Sequence, residues 1–291
     1  MVMPIAELQN VTMTYGAVKA LDDVSLTVDE GTALAVLGPN GAGKTTAIRL
    51  LTGLKRAQKG KARLFGRNPR SPASRLTIGV TPQEASFPHA MKAGEILDFA
   101  RKHYAEPAPR DALIEAFGLE PNLNRMAVSL SGGQQRKLAV ALAFCGGPRV
   151  VFLDEPTTGI DSDSRQRMWR YIQQFKAGGG TIFLTTHYLD EAEAIASRIV
   201  LINEGKILRS GTVDDVRSAV QVRVIRFRAA NAPDLTAARH ATSDAERHTY
   251  LSSDADESVR ALVKSGLEFR DLEVLPASLE SAVNELLKVS S

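Results

Sequence analysis

A glycine-rich loop between an apolar strand and a helix constrains this chain more than any other feature. The strand ALAVL (33–37) is wholly apolar, as expected for a strand buried on both faces of a parallel sheet. The loop GPNGAGKTT (38–46) follows it, and IRLLTGL continues a helix that should begin near Lys44. Glycines let successive backbone N–H groups converge on one point, where the helix N-terminus adds partial positive charge. The pattern therefore predicts a cradle for phosphate groups.

The residues of this loop have separate predicted roles. Lys44 should reach the β- and γ-phosphates of a nucleotide, the Thr45 hydroxyl should ligate Mg²⁺, and Thr46 should hold the α-phosphate. A chance glycine-rich turn is the alternative, which the flanking strand and helix disfavour. The predicted nucleotide-binding set is Gly38, Pro39, Asn40, Gly41, Ala42, Gly43, Lys44, Thr45 and Thr46.

A second apolar strand, VVFL (150–153), ends in the two carboxylates of Asp154 and Glu155. The ends of parallel strands face the ligand crevice of an α/β sheet. Asp154 is predicted to hold Mg²⁺ or its water, and Glu155 to lie beside the γ-phosphate and polarise the attacking water. The alternative is that both residues are only capping acids before Pro156. The predicted phosphate cradle at 38–46 disfavours this alternative.

Strands that alternate with helices predict a parallel sheet covered by helices. Residues 6–15 and 24–28 alternate apolar and polar positions, which is typical of half-buried antiparallel strands. The run 181–185 predicts a third buried strand. Helical patterns occur at 94–104, 110–117, 131–144 and 162–175.

The pattern changes after residue 217, which predicts two domains, 1–217 and 218–291. The second is predicted to be a small α+β module. It begins with a strand at 222–227, followed by a loop rich in Ala, Asp and Thr. A strand at 248–251, a helix at 256–264, a strand at 269–274 and a helix at 279–287 complete it.

Composition and charge exclude several classes of protein. The 291 residues are 44% hydrophobic and 24% charged, which is ordinary for a globular chain. The net charge of +3 is too small to argue for nucleic-acid binding, and the single Cys145 cannot form an internal disulfide. The N-terminus lacks a signal-peptide pattern, and no apolar run approaches the roughly 20 residues that span a bilayer. We expect a soluble chain that meets a membrane only through a partner.

The segment LSGGQ (130–134) precedes a helix and forms a second candidate anion site. An N-cap followed by a turn is the alternative interpretation. With this segment the sequence resembles the ATP-binding cassette (ABC) family over about residues 4–217. GPNGAGKTT, LSGGQQRKLAVALA and DEPTTGID are most similar to the subgroup that serves ABC-2 type exporters, which includes drug-resistance ATPases. The segment LEVLPASLE (272–280) looks like the C-terminal module of that subgroup.

The resemblance implies a P-loop NTPase core with an antiparallel β subdomain and a helical subdomain at about 85–148. It also implies a dimer in which Ser131, Gly132, Gly133 and Gln134 of one subunit cover the γ-phosphate held by the other. Its further implied roles are adenine stacking for Tyr15, contact with Mg²⁺ and water for Gln83, a dimer-interface position for Asp161 and γ-phosphate contact for His187. Ile160 and Ser162 replace the family's usual Leu and Pro. Without the resemblance, Tyr15 and His187 could be ordinary structural residues.

The function implied is that of the ATP-hydrolysing subunit of an exporter, with ATP and Mg²⁺ as cofactors. Its implied partners are a second copy or a related ATPase, together with an integral membrane permease, and its implied place is the cytoplasmic face of the membrane. An importer ATPase, a soluble non-transport ABC ATPase and a non-catalytic ATP-binding module remain as alternatives. The soluble repair type is disfavoured because no long coiled coil fits between Lys44 and Ser131. The transported substrate is not encoded visibly in this chain.

Overall fold

The computed structural model describes residues 4–220, 222–244 and 246–289. The chain forms two compact units, one reaching to Arg209 and the other starting at Ser210. The boundary predicted from the sequence, between residues 217 and 218, lies within the second unit. The division into domains therefore stays a prediction.

The helices and strands follow one another along both units. The strands are β1 (Ala6–Tyr15), β2 (Val18–Val28), β3 (Ala33–Leu37), β4 (Lys59–Leu64), β5 (Ile78–Thr81), β6 (Val150–Asp154), β7 (Thr181–Thr186), β8 (Arg198–Asn203), β9 (Lys206–Gly211), β10 (Arg223–Arg228), β11 (Ala238–Asp244), β12 (Arg247–Ser252) and β13 (Arg270–Pro276). The helices are α1 (Lys44–Leu51), α2 (Pro72–Arg75), α3 (Ala93–Arg101), α4 (Arg110–Phe117), α5 (Gly132–Phe144), α6 (Ser162–Ala177), α7 (Leu189–Ile195), α8 (Val213–Ser218), α9 (Ala255–Lys264) and α10 (Leu279–Val289).

A six-stranded sheet in the order β5-β6-β7-β3-β8-β9 forms the centre of the first unit. The first five strands in this order, β5, β6, β7, β3 and β8, run parallel to one another. Every residue of β3, β6 and β7 is buried, because helices and other elements cover both faces of these strands. The α/β fold class and the three buried strands predicted from the sequence are confirmed.

The first unit also contains a separate three-stranded antiparallel sheet in the order β2-β1-β4. Along the chain, β1 and β2 precede the glycine-rich loop and β4 follows it. β1 pairs antiparallel with β2, and Ala6 lies opposite Val28. Alternate residues of β1 are buried, and Leu8, Val11 and Met13 join the same core as α1. The antiparallel pairing predicted from the alternation at 6–15 and 24–28 is confirmed, although β2 begins earlier, at Val18.

Aromatic side chains hold three helices of the first unit together. The ring of Phe144 on α5 lies 5.9 Å from Phe117 on α4, 5.2 Å from Tyr171 and 5.1 Å from Phe175, the last two on α6. Aromatic pairs at these distances add to the gain from burying their surfaces. This cluster fixes α5, whose first turn carries the LSGGQ segment, against α4 and α6.

The second unit is built on a four-stranded antiparallel sheet in the order β11-β12-β10-β13. Ile225, Phe227, Tyr250 and Leu262 form its core, so α9 packs against the sheet. One sequence-based expectation is wrong here, because part of the predicted loop after residue 227 is the strand β11 (Ala238–Asp244). β11 is an edge strand held by backbone pairing with β12, and its sequence ARHATSD therefore has no apolar alternation to reveal it.

Within the residues that the structure describes, none of the helices combines the length and the apolarity needed to cross a membrane.

Replacing Phe144 by Ala tests whether the aromatic cluster stabilises the first unit. The side chain is 1% exposed, and its removal would leave a cavity between three helices. We expect the free energy of unfolding, measured by urea denaturation, to fall by about 3–5 kcal/mol. Phe99→Ala is the control, because Phe99 on α3 is 59% exposed and should change stability little. Equal losses in the two variants would contradict the packing described here.

Candidate active site

The register of the central sheet brings three functional segments to one edge. Leu37, at the end of β3, lies opposite Thr186 at the end of β7. Asp154, at the end of β6, lies opposite Thr185 on β7. The segments that follow these ends are the glycine-rich loop, Glu155 and His187. Neighbouring parallel strands therefore place residues that are far apart in sequence beside one another.

The loop after β3 wraps closely around the start of α1. Gly43 has φ 109° and is the N-cap of α1. A Cβ atom at Gly43 would collide with the carbonyl oxygen of Ala20, so both the backbone conformation and the available space require glycine. Lys44 is 5% exposed, and its Nζ donates hydrogen bonds to the carbonyl oxygens of Gly38 (2.7 Å) and Pro39 (3.1 Å). The lysine side chain thus folds back over the loop that it follows.

Glu155 lies between the two cationic or potentially cationic groups of the site. Its Oε1 is 3.6 Å from Lys44 Nζ, and its Oε2 is 3.2 Å from His187 Nδ1. Thr158 Oγ1 also donates to Glu155 Oε2 at 3.4 Å. Burial lowers the pKa of Lys44, and the charge of Glu155 acts in the opposite direction. The ammonium, the carboxylate and the imidazole form one connected chain of polar groups.

The backbone of Glu155 is held in an unusual conformation. Its φ is 49°, in the left-handed region, which costs a residue with a side chain about 1–2 kcal/mol. The N–H group of Glu155 donates to the carbonyl oxygen of Thr185 at 2.9 Å and to the Thr185 hydroxyl at 3.2 Å. These contacts fix the carboxylate at the end of the sheet.

Asp154 lies deeper than Glu155, with 2% of its surface exposed. The Thr185 hydroxyl donates to its Oδ1 at 2.5 Å. Thr45 and Gln83, the other two residues predicted to ligate a metal, both line the cleft beside the glycine-rich loop. A hydroxyl, an amide oxygen and a carboxylate are the hard oxygen ligands that Mg²⁺ prefers, so this donor set fits that ion.

A cleft of about 350 Å³ joins much of the predicted nucleotide site. Tyr15, at the end of β1, is 39% exposed and contributes an aromatic face to the lining. The sequence-predicted residues that line this cleft are Tyr15, Asn40, Gly41, Ala42, Gly43, Lys44, Thr45, Thr46, Gln83 and Glu155. His187 lies next to it through the contact with Glu155.

The LSGGQ segment lies elsewhere in this chain. Gly132 and Gly133 line a second cleft together with Gln83 and Gly159, and none of residues 131–134 lines the first cleft in the described part of the chain. Gly133 approaches the backbone so closely that a Cβ atom there would collide with the carbonyl oxygen of Gly159. The start of α5 is therefore packed directly on the segment that follows Glu155.

Three of the side chains predicted to lie at the dimer interface, those of Ser131, Gln134 and Asp161, also cap helices. Ser131 Oγ accepts a hydrogen bond from the Gln134 N–H at 3.3 Å, and Gln134 Oε1 accepts one from the Ser131 N–H at 3.0 Å. This reciprocal pair is a capping box at the start of α5. Asp161 caps α6, and the backbone N–H of Ser164 lowers the pKa of its carboxyl group. Capping fixes the orientation of all three side chains.

Sequence reasoning missed Arg136, which lies on α5 and is 8% exposed. Its Nη1 donates to the carbonyl oxygen of Pro82 at 2.6 Å, and its Nη2 donates to that of Asp154 at 3.1 Å. One guanidinium thus joins the helix that carries LSGGQ to the residue before Gln83 and to the end of β6. Arg136 lies in the polar stretch QQRK (134–137) before the apolar run LAVALAF (138–144), so the sequence carried no signal that its side chain is buried.

Glu191 on α7 was missed as well. It is fully buried, and burial raises the pKa of its carboxyl group to about 6. The indole Nε1 of Trp169 on α6 donates to its Oε1 at 3.2 Å. The carboxylate therefore connects α6 with the helix that follows His187.

Comparisons with known proteins agree with this geometry. Residues 21–158 match the family model described as ABC transporter. The chain is 34% identical to the daunorubicin/doxorubicin resistance ATP-binding protein DrrA of Streptomyces peucetius, over 94% of this chain and 89% of that protein. It is also 34% identical to the Nod factor export ATP-binding protein I of Burkholderia lata, over 96% of each.

Solved structures share the fold of the first unit. The structure of an ATP-binding subunit of an ABC transporter matches with a TM-score of 0.67 and 27% identity, over 74% of this chain and 92% of that one. A dimeric ATP-binding cassette in a post-hydrolysis state, bound to ADP and Pi, matches with a TM-score of 0.65 and 24% identity, over 71% of this chain and 98% of that one. The P-loop NTPase fold inferred from the sequence is confirmed.

Arg136→Met tests the link between α5 and the strand ends. The substitution keeps a similar volume but leaves the carbonyl oxygens of Pro82 and Asp154 without their charged donor. We expect the free energy of unfolding to fall by about 2–4 kcal/mol, measured by urea denaturation. The kcat for ATP hydrolysis should also fall roughly tenfold or more, since Gln83 and Asp154 lose their common tether.

Arg136→Lys should recover part of both losses, because lysine keeps the charge but cannot donate to both carbonyl groups as arginine does. Arg170→Met, at an exposed position of α6, is the matched control. Wild-type kcat in Arg136→Met would show that Arg136 does not position the site.

Proposed function

The chain belongs to the ABC transporter family of ATP-binding proteins, and from that premise we propose how its residues bind ATP, hydrolyse it and pass the result to a membrane partner. The protein is the ATP-binding and ATP-hydrolysing subunit of an ABC exporter. Its relatives of similar length are named for drug resistance and for Nod factor export, and they match the C-terminal module as well as the cassette. The observation that carries the catalytic proposal is the chain Lys44–Glu155–His187 beside the glycine-rich loop.

Binding of ATP begins at the loop before α1. The N–H groups of that loop and of the first turn of α1 surround the triphosphate. Lys44 exchanges its hydrogen bonds to Gly38 and Pro39 for contacts with the β- and γ-phosphates, because phosphate oxygens are stronger acceptors for an ammonium group than carbonyl oxygens are. Tyr15 presents its exposed ring to the adenine.

Mg²⁺ fits the oxygen ligands of Thr45, Gln83 and Asp154. When bound, the ion would neutralise negative charge that develops on the β- and γ-phosphate oxygens. Thr185 supports this arrangement because its hydroxyl donates a hydrogen bond to Asp154 Oδ1, which keeps the other carboxylate oxygen available. The protein residues thus supply orientation and charge balance.

Glu155 acts on the attacking water. Its carboxylate accepts a hydrogen bond from the water, orients it in line with the γ-phosphate and takes up its proton as the water attacks. His187 holds the carboxylate in place through Nδ1, which lies 3.2 Å from Glu155 Oε2, and its imidazole ring contacts the γ-phosphate on closure. Lys44 offsets negative charge on the transferring phosphoryl group. Most of the rate enhancement then comes from positioning and electrostatic stabilisation.

The site is completed by a second ATPase subunit, either another copy of this chain or a related protein. Ser131, Gly132, Gly133 and Gln134 form an anion site at the N-terminus of α5 but do not line the cleft around Lys44 in the same chain. Two such chains, facing one another, would each cover the γ-phosphate held by the other. Asp161, the N-cap residue of α6, would meet the partner. The dimeric cassettes among the structural relatives make this arrangement possible for the fold.

ATP-driven closure is passed to an integral membrane permease. We assign docking to the segment around Gln83 and to the helices α3 and α4. Gln83 lines both clefts, so it would respond both to bound nucleotide and to the LSGGQ segment. The subunit would then lie at the cytoplasmic face of the membrane as a peripheral protein. Substrate selection is left to the permease.

Glu155→Gln tests the hydrolytic role. Gln cannot accept the proton of the attacking water, so turnover measured as phosphate release should fall at least about 100-fold. Equilibrium binding of ATP should persist, and size-exclusion chromatography with MgATP should show an accumulated dimer. Glu204→Gln is the matched control, because Glu204 is an exposed glutamate with a similar left-handed backbone (φ 47°). Unchanged turnover in Glu155→Gln would refute the role assigned to Glu155.

Ser131→Arg tests the shared site. The arginine would intrude on the γ-phosphate position of the facing subunit, so hydrolysis should be lost while ATP binding by each chain is retained. Loss of an N-cap alone costs about 1 kcal/mol of stability. Thr212→Arg is the matched control, since Thr212 caps α8 in an equivalent capping box and is not among the residues that line the nucleotide cleft. Full activity of Ser131→Arg would show that the pocket is not shared.

A further inference from the structure

One stretch of the first unit has an extreme charge distribution. No aspartate or glutamate occurs between residues 31 and 83, although the whole chain carries a net charge of only +3. The cations between residues 49 and 75 are Arg49, Lys55, Arg56, Lys59, Lys61, Arg63, Arg67, Arg70 and Arg75. Positive charge is therefore concentrated in this part of the sequence, and the remainder of the chain is net acidic.

The fold gathers most of these cations around one concave surface. A cleft of about 610 Å³ is formed by the loop after α1, by β4 and by the turn that precedes α2. We call it the basic cleft. Its cationic lining residues are Lys55, Arg56, Lys59, Lys61, Arg63, Arg67 and Arg70, and all of their side chains are exposed.

The charge of the basic cleft is not neutralised within the chain. In the part that the structure describes, no acidic side chain lines the cleft and none of its seven cations forms an ion pair. Other surface arginines of the same unit are paired, such as Arg149 with Glu30 and Arg198 with Asp29. A concave surface of this kind focuses positive potential and attracts polyanions.

Protection of a sheet edge explains only part of this pattern. β4 is an edge strand, and lysines on edge strands prevent unwanted pairing with other chains. That role accounts for Lys59 and Lys61. It does not account for Lys55, Arg56 or Arg67, which lie in the loops on either side of the strand.

Two exposed leucines accompany the cations. Leu54, immediately before Lys55, is 62% exposed, and Leu76, immediately after Arg75, is 71% exposed. Cations combined with exposed apolar side chains are typical of surfaces that rest on the headgroup region of a bilayer. Binding of nucleic acid commonly uses exposed aromatic rings on which bases stack. The only aromatic residue between 49 and 75 is Phe65, which is half-buried and covered by the guanidinium of Arg149 at 5.0 Å.

We propose that the basic cleft binds the phosphate headgroups of anionic phospholipids at the membrane surface, with Leu54 and Leu76 inserting among the adjacent acyl chains. Arginine forms paired hydrogen bonds with phosphate oxygens, and each cation near an anionic membrane strengthens binding several-fold. The proposal rests on the peripheral membrane position given under Proposed function. It adds a direct contact between the ATPase subunit and lipid that does not pass through the permease.

Cosedimentation of the full chain with vesicles tests this contact in the absence of ATP and permease. A negative result would therefore overturn the lipid-binding proposal and leave the catalytic proposal untouched. The chain should bind vesicles of phosphatidylglycerol mixed with phosphatidylcholine, and not vesicles of phosphatidylcholine alone. Binding should be lost at about 1 M salt, where the Debye length is about 3 Å. The triple variant Lys55→Glu, Lys59→Glu, Lys61→Glu should reduce the partition coefficient at least about tenfold.

The matched control reverses three exposed cations outside the basic cleft, Lys102→Glu, Arg170→Glu and Arg209→Glu, with the same change in net charge. It should keep most of the binding. The double variant Leu54→Gln, Leu76→Gln should weaken binding with no change in charge. Equal loss in both triple variants, or no binding to anionic vesicles at physiological salt, would overturn the proposal. So would tight binding of a single-stranded oligonucleotide, measured by fluorescence anisotropy, in place of vesicle binding.

Discussion

The parallel register of the central sheet is the constraint on which the site depends. β3, β6 and β7 are buried on both faces, and the charged groups of the candidate site lie where these strands end. The pairing of Leu37 with Thr186 and of Asp154 with Thr185 brings those ends into line. A shift of a single residue in either pairing would separate Glu155 from Lys44 or from His187. The chemistry of the molecule is therefore a consequence of how three apolar strands align.

Much of this arrangement is readable from the sequence because its signals are local. A wholly apolar run followed by GPNGAGKTT specifies a strand, a tight loop and a helix start, and the structure has all three within one or two residues of the expected positions. The strand VVFL with its two acids is equally local. The dimer, the permease and the metal ligands remain predictions, since they depend on molecules outside this chain.

The features that sequence reasoning missed depend on long-range contacts. Arg136 gains its importance from carbonyl groups of Pro82 and Asp154, which no spacing within α5 could indicate. β11 is held by backbone pairing at a sheet edge and has no apolar pattern. The basic cleft was hidden by the small net charge of the whole chain, which averages a cationic stretch with an acidic remainder.

The left-handed backbone of Glu155 places stability and activity in opposition at one position. Glycine adopts φ 49° without the cost of about 1–2 kcal/mol that a larger residue meets there. Glycine at residue 155 would also remove the carboxylate that lies 3.6 Å from the buried ammonium of Lys44, and under the role proposed for Glu155 the resulting protein would bind nucleotide without hydrolysing it.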